Sequence, residues 1–365
     1  MLSGKYCATT IIAAALLWLP AVGAAARTLD EANGMTRQLL QQKMKEQRIP
    51  GLQVAVVKGN RIVLSESYGL ANVENRVPAS KTTLFPINSA TKSFTGVAMM
   101  QLAEAGLVDL DAPVSRYLQD LPEAWRGIRI RQLLGHSSGL PDIVDQKGGP
   151  IGGGTEVAAW EAVKKLPMDA AVGAQFSYNQ SNYVLLSQLI AKQTKMPYET
   201  YIAKHQFAVA NMPLSTFGDS YELVPNAATI YATTPRGTSA PDDASRLSKW
   251  IYEIPYGLWA GAGIQTTADE VARWLIALSN GRLISKADVR KMWVPEKLNS
   301  GADGEWGAGW PVLQTSPHLQ VAGFGGARAA FFVYPDDALA IVVLTNLAGA
   351  NPQRFVPQIA EFYKP

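Results

Sequence analysis

Two kinds of periodicity divide the chain. From Gly51 to Val57 and again from Arg61 to Tyr68 the residues are strand-forming, and Lys58, Gly59 and Asn60 supply a turn between them, so a β-hairpin is predicted. The signature returns near the far end, where the apolar, β-branched and aromatic runs Ala329 to Tyr334 and Leu339 to Thr345 flank Pro335, Asp336 and Asp337. A helix is predicted from Leu29 to Glu46, ahead of the first hairpin, and another from about Pro352 to Tyr363 closes the chain. Between these ends the apolar spacing becomes helical: Leu185, Leu186, Leu189 and Ile190 form one stripe that stops before Pro197. Strands at both ends of a helical middle predict one sheet assembled from distant pieces of chain, with a helical region inserted into that α/β body. Gly148 to Gly154, with Pro150, predicts a surface loop, and no internal repeat or low-complexity tract is present.

With 47% hydrophobic and 17% charged residues over 365 positions, the chain has the composition of a globule with a large core. Its formal charge of +3 is scattered without a basic run, which excludes an electrostatic nucleic-acid footprint. The first residues read as a secretory signal: Lys5, an apolar stretch from Ile11 to Leu19, then small residues up to Ala26. Pro20 interrupts that stretch short of the roughly 20 residues a membrane span needs, so cleavage near Arg27, and a periplasmic or secreted protein with no stable membrane anchor, is expected. Cys7, the single cysteine, falls inside this leader, so no disulfide, thiol or cysteine-metal chemistry is expected of the mature chain.

The segment Asn88, Ser89, Ala90, Thr91, Lys92, Ser93, Phe94 opens a helix predicted to reach Ala105, with Gly106 as its stop. Ser89 then sits in the first turn, where backbone N–H groups point outward and the helix dipole favours developing negative charge. Lys92 follows at i+3 on the same face. A serine hydroxyl is a weak nucleophile until its proton is taken, and a desolvated lysine can take it. Alone, Ser-x-x-Lys arises roughly once by chance in a chain of this length, and by itself it reads first as a cap followed by a solvated lysine.

What changes that reading is a series of ordered blocks: Ile49-Pro50-Gly51, Ser89 to Lys92, Leu133 to Pro141 (LLGHSSGLP), Phe176-Ser177-Tyr178-Asn179-Gln180, Gly261 to Asp269 (GAGIQTTAD) and Gly323-Phe324-Gly325-Gly326. On these the chain resembles the serine β-lactamase and penicillin-binding-protein superfamily, in the branch of class C β-lactamases, D-aminopeptidases and related esterases. The resemblance spans nearly the whole mature chain. It implies a β-lactamase/transpeptidase-like α/β fold, an antiparallel sheet flanked by helices. After a signal at 1–26 comes a single catalytic domain over 27–365, its α/β part about 27–105 and 300–365 and its mainly helical part about 106–299. It further implies a serine hydrolase in which Ser89 forms an acyl-enzyme, Lys92 sits beside it and Tyr178 acts as general base or proton relay. A phenol with a free pKa near about 10 is a poor base unless nearby positive charge stabilises its phenolate. The oxyanion hole would be the backbone N–H groups of Ser89 and of Ala327 on the edge strand, with Gly325 and Gly326 admitting substrate to that backbone.

Two departures bear on the substrate. The family's second element commonly ends in Asn, where this chain has Gln180, so Gln180, or else Asn179 or Asn182, is expected to hold a substrate carbonyl. The third element usually begins with a cation, and here that position is Phe324. Loss of the charge is expected to weaken recognition of a free carboxylate, and Phe324 to favour a more apolar acyl or ester substrate. Arg328, four residues on, is either a replacement guanidinium or an exposed arginine. His136, His205 and His318 lack a nucleophile-elbow context, and His136 is expected to be a buried organiser. No spacing suggests a metal site or a phosphate loop, so no cofactor is expected. The expected partner is a small-molecule or peptide substrate, conceivably cell-wall derived, with ester, D-peptide and β-lactam all open and oligomeric state unreadable. The competing function is a non-catalytic or slowly acylating module that holds a penicillin or cell-wall fragment.

Overall fold

Thr28 starts the first helix, α1 (Leu29–Gln47), through a reciprocal cap. Its hydroxyl accepts the Glu31 N–H at 3.3 Å while the Glu31 carboxylate accepts the Thr28 N–H at 2.9 Å. The computed structural model describes residues 27–145, 149–151, 155–233 and 246–364, so the expected leader and most of the Gly-rich loop lie outside the described residues. The first hairpin forms as β1 (Gly51–Lys58) and β2 (Arg61–Asn72). Its second strand runs past Tyr68 because Gly69, at φ 73°, lets the Leu70 N–H reach the Pro50 carbonyl at 2.7 Å.

β3 (Val77–Pro78) edges that pair, and β4 (Val312–Gln314), β5 (Gln320–Gly325), β6 (Ala329–Tyr334) and β7 (Leu339–Thr345) complete an antiparallel sheet in the order β3-β2-β1-β7-β6-β5-β4. Its two halves join where β1 meets β7, from Leu52 opposite Thr345 to Lys58 opposite Leu339. The sheet is thus one body built from the two ends of the chain, as the periodicity predicts. The second hairpin keeps its predicted bounds, closed by one tight turn at Pro335–Asp337.

Three longer helices come from the middle and one from the end: α2 (Thr91–Glu104), α3 (Ser181–Thr194), α4 (Ala268–Ser279) and α5 (Val356–Tyr363). Strand alternation divides the sheet's side chains between two cores. Val54, Val56, Phe332, Ile341 and Val343 face α1 and α5, whereas Ala55, Val57, Phe331, Val342 and Leu344 face the helical region. With both faces covered, β6 and β7 are buried at every position, which explains their continuous apolar sequence.

α2 is buried on nearly all sides and anchors the helical region to the sheet. Phe94 stacks on Trp274 of α4 at 3.8 Å, and Trp274 meets Phe331 of β6 edge-on at 6.2 Å. Truncating Phe94 to alanine would cost about 3–5 kcal/mol. Gly96 lets another segment come close, since a Cβ there would stand 2.1 Å from the Ala308 carbonyl oxygen. Among the described residues no helix is long and apolar enough to cross a membrane.

Candidate active site

The approach to Ser89 is a short strand and a forced turn. Phe85 and Pro86 pair with Gln265 and Thr266, and the Ile87 N–H donates to the Ile264 carbonyl at 3.0 Å. Asn88 then takes φ 45°, a left-handed conformation that asparagine tolerates better than most residues. Ser89 lies in a single 3₁₀ turn, Asn88–Ala90, and α2 proper begins at Thr91, slightly later than the sequence pattern suggests. Lys92, fully buried, is therefore carried inward from the first turn of α2 while Ser89 remains partly accessible.

The Lys92 ammonium has two neutral acceptors, Gln180 Oε1 at 2.9 Å and the Gly261 carbonyl at 3.0 Å. It also lies over the faces of Tyr178 and Tyr183, 4.8 and 4.9 Å from their centroids. Among the described residues no carboxylate lies within ion-pair distance of it, and its charge is held by two carbonyl dipoles and two ring faces. Gly261 is needed for this: a Cβ there would stand 2.9 Å from Gln180 Oε1 and 3.2 Å from Lys92 Nζ. The Tyr178 hydroxyl donates to Ser89 Oγ at 2.8 Å, and Tyr178 is 39% exposed, open to whatever approaches Ser89.

Tyr178 is held by the LLGHSSGLP block, which is stitched to the start of α3. Ser177 N–H donates to the His136 carbonyl at 2.7 Å, Asn179 Nδ2 to the Leu140 carbonyl at 2.6 Å, Ser181 Oγ to the Pro141 carbonyl at 2.7 Å and Tyr183 OH to the Leu134 carbonyl at 3.1 Å. His136 lies at the centre, fully buried, its ring 4.6 Å from that of Tyr178 and perpendicular to Trp306 at 4.8 Å. Its Nδ1 accepts from the Asn179 N–H and from Asn182 Nδ2, both at 3.1 Å, which leaves the remaining proton on Nε2. Burial, and then the nearby Lys92 charge, hold His136 well below the ordinary histidine range. It is a neutral, buried wall behind Tyr178.

The other wall is the β5–β6 turn. Gly325 backs onto the Asn88–Ala90 turn so closely that a Cβ would stand 2.4 Å from the Ser89 nitrogen and 2.2 Å from the Ile87 carbonyl oxygen. Gly326 at φ 57° and Ala327 at φ 52° form the tight turn that follows, closed by the Arg328 N–H to the Gly325 carbonyl at 3.1 Å. Ala327 is thus in the hairpin turn and not on a strand, and β5 is paired on its outer side with β4 at Gln320 and Val321, the Ala322 N–H then reaching the Pro311 carbonyl at 3.1 Å. Its last residues form a locally uncovered edge toward Ser89.

Three expectations need correction. Phe324 does not line the cleft: strand alternation turns its side chain into the outer core with Ala322, Ala330 and Phe332, and Gly323 and Gly325 take the inward face. Arg328 is 4% exposed and not a solvated surface residue. Asn179 and Asn182 are buried and committed to Leu140, His136 and Ser138, so neither stands in for Gln180. Gln180 spends its own oxygen on Lys92 and keeps its amide NH₂ for the cleft. Sequence reasoning also passed over Gly261 as a lysine ligand, and over Asp142, half-buried, whose carboxylate accepts the Gln180 N–H at 3.0 Å and whose acidity is weakened by burial. An Asp following a Leu-Pro turn carried no separate signal.

A family model described as Beta-lactamase matches residues 36–361. Protein flp of Staphylococcus aureus (strain MW2) is 30% identical over 201 residues, a match that covers 52% of this chain and 39% of that protein, so the chain spans about two fifths of that relative's length. A penicillin-binding protein of Bacillus subtilis (strain 168) is 26% identical over 317 residues, covering 80% of this chain and 67% of that one. Among solved structures, the octameric penicillin-binding protein homologue from Pyrococcus abyssi superposes with a TM-score of 0.73 at 25% identity, over 89% of this chain and 77% of its own.

Proposed function

Because this chain belongs to the Beta-lactamase family, a family of serine hydrolases, we propose that it cleaves an ester or amide bond through an acyl-enzyme on Ser89. The observation that carries this reading is the 2.8 Å hydrogen bond between the Tyr178 hydroxyl and Ser89 Oγ, with the Lys92 ammonium lying over the same tyrosine ring. As a phenolate, Tyr178 accepts the Ser89 proton as Oγ attacks the substrate carbonyl, and a tetrahedral oxyanion forms. The Ser89 and Ala327 N–H groups are the proposed oxyanion donors, supported by how closely Gly325 brings the β5–β6 turn to the Ser89 nitrogen. Tyr178 then returns the proton to the leaving alcohol or amine. Water, deprotonated by the same phenolate, attacks the acyl-Ser89 carbonyl, and Tyr178 hands its proton to the departing serine oxygen.

Neutral His136 behind Tyr178 supports this cycle, because it adds no second charge beside the ring and cannot compete for the proton. The site of action is proposed to be outside the cytoplasm, a reading supported by the leader pattern ahead of Arg27 and tested by N-terminal sequencing of the mature protein.

The test is intact-mass analysis after exposure to a fluorophosphonate and, separately, to a penicillin, with Ser89→Ala as control, beside turnover of a short-chain aryl ester. A Ser89-dependent adduct with ester turnover is expected. Well-folded protein that gives neither is a binding module and not a hydrolase.

A further inference from the structure

A cavity of about 590 Å³, in the size range of small-molecule sites, opens at the far end of α2 from Ser89. Its lining is largely apolar: Met100 of α2, more than two turns beyond Lys92, together with Leu134 and Met292, the last residue of the helix Lys286–Met292, all three buried. The two thioethers are flexible and polarizable, so this lining adapts to apolar bodies of varied shape.

The charged part of the lining is anionic on balance, with Glu104, Asp288 and Glu296 against Arg131 and Lys291. Two of these acids are engaged, since Glu104 Oε1 accepts the Ser285 N–H at 2.6 Å and Asp288 meets the Lys291 ammonium at 2.7 Å. Arg131 is engaged as well, its Nη2 donating to Asp111 at 2.6 Å. Glu296 is the exception. Its side chain is 8% exposed, yet its cationic neighbours, Arg129 Nη2 and Arg131 Nη1, stand at 3.6 and 3.7 Å, beyond hydrogen-bond length. Burial raises its pKa in spite of both guanidinium groups, as expected of a carboxylate whose lost water has been only partly replaced. A cation that brings N–H donors into the cavity supplies what is missing. An anion there would meet the same carboxylate and find both lining cations already paired.

We propose that this cavity is a binding site, separate from the Ser89 cleft, for a small primary amine on an apolar body: the ammonium donates to the Glu296 carboxylate while the body packs on Met100, Leu134 and Met292. The site does not depend on the acyl-enzyme reading of Ser89, and its test reads binding alone.

The test titrates the protein with three probes of one skeleton, 4-phenylbutylamine, 4-phenylbutanol and 4-phenylbutyrate, followed by ligand-observed NMR. The amine is expected to bind about tenfold or more tightly than the alcohol, the range a charge-assisted hydrogen bond supplies, and the carboxylate more weakly than either. Glu296→Gln keeps the side chain's shape and removes its charge; it should bring the amine to within about threefold of the alcohol while the alcohol itself changes by less than about threefold. Ala103→Phe, from a half-buried position of α2 on the same lining, fills the cavity and should weaken amine and alcohol alike by about tenfold or more. An amine that binds no more tightly than the alcohol, or whose advantage survives Glu296→Gln, overturns the proposal, as does the absence of binding by all three probes. Should the Gln variant not fold, Ala103→Phe decides alone: amine affinity unchanged by it places the ligand elsewhere and overturns the proposal, whereas a tenfold loss supports it.

Discussion

Lowering the pH from 7 to 5 should destabilise this protein chiefly through His136, the fully buried histidine. In the folded state its Nδ1 receives two N–H donors and its ring is fully buried among Tyr178, Tyr183 and Trp306, so a second proton would displace both donors and add a charge near Lys92. In the unfolded chain the ring takes that proton with the ordinary value of 6.5. The folded value lies below the unfolded one, so the unfolded state binds more protons in the window beneath pH 6.5, and stability falls as pH falls through it. One proton is worth about 1.4 kcal/mol per pH unit once fully in play; integrated from pH 7 to pH 5, with the folded ring still neutral, the loss is about 2 kcal/mol. Asp142, whose folded value is raised by burial, acts with the opposite sign in a window above 3.8, and His205, lowered by burial, acts with the same sign as His136. The comparison that isolates His136 is therefore wild type against His136→Asn, in which those contributions are shared. Asparagine suits the φ of 57° at this position and offers an oxygen in place of Nδ1. The variant should lose about 2–4 kcal/mol at pH 7 from lost ring packing but show a shallower pH dependence, by about 2 kcal/mol over the interval. Urea denaturation at pH 7, 6 and 5 measures both. Parallel pH profiles, differing by less than about 0.5 kcal/mol in slope over the range, would refute the assignment of a neutral, doubly accepting Nδ1.

Three further outcomes follow from the geometry. Tyr178→Phe removes the hydroxyl at Ser89 but leaves the ring against His136 and Lys92, so ester turnover should fall roughly 10²- to 10⁴-fold while the urea midpoint shifts by less than about 1 kcal/mol. Gly325→Ala drives a Cβ into the backbone at Ile87 and Ser89, which cannot yield as a side chain can; stability should drop by about 1–3 kcal/mol and turnover should fall at least as far as for Tyr178→Phe. Gly261→Ala meets only the movable ends of Gln180 and Lys92, so the fold should survive with a loss of about 1 kcal/mol, and steady-state kinetics should show kcat falling more than KM rises.

Much of the architecture was legible because it is written in local chemistry. The bounds of the second hairpin, the start of α1 and the stripe of α3 follow from β-branched runs, a Thr-x-x-Glu cap and helical spacing, each of which acts over a few residues. The Ser-x-x-Lys pair was likewise visible, but alone it could not be told from a cap and a solvated lysine. What distinguishes it is that Lys92 is buried and held by Gly261, 169 residues away, and by Gln180, 88 residues away.

The residues misread are those whose meaning depends on which way a strand or turn faces. Phe324 and Arg328 lie in and just beyond the last of the ordered blocks, and sequence assigned the first to the cleft and left the second between cleft and solvent. The register of β5 against β6 turns Phe324 to the outer core, and the two positive φ angles of the turn swing Arg328 under Gly326. The sequence by itself determined the elements, the helix that carries Lys92 and the chemical groups available, because propensity, capping and periodicity are properties of neighbouring residues. Only the tertiary structure decided which of those groups share the cleft, which charges lose their water and which remain unpaired, because facing and desolvation depend on segments packed together from distant parts of the chain.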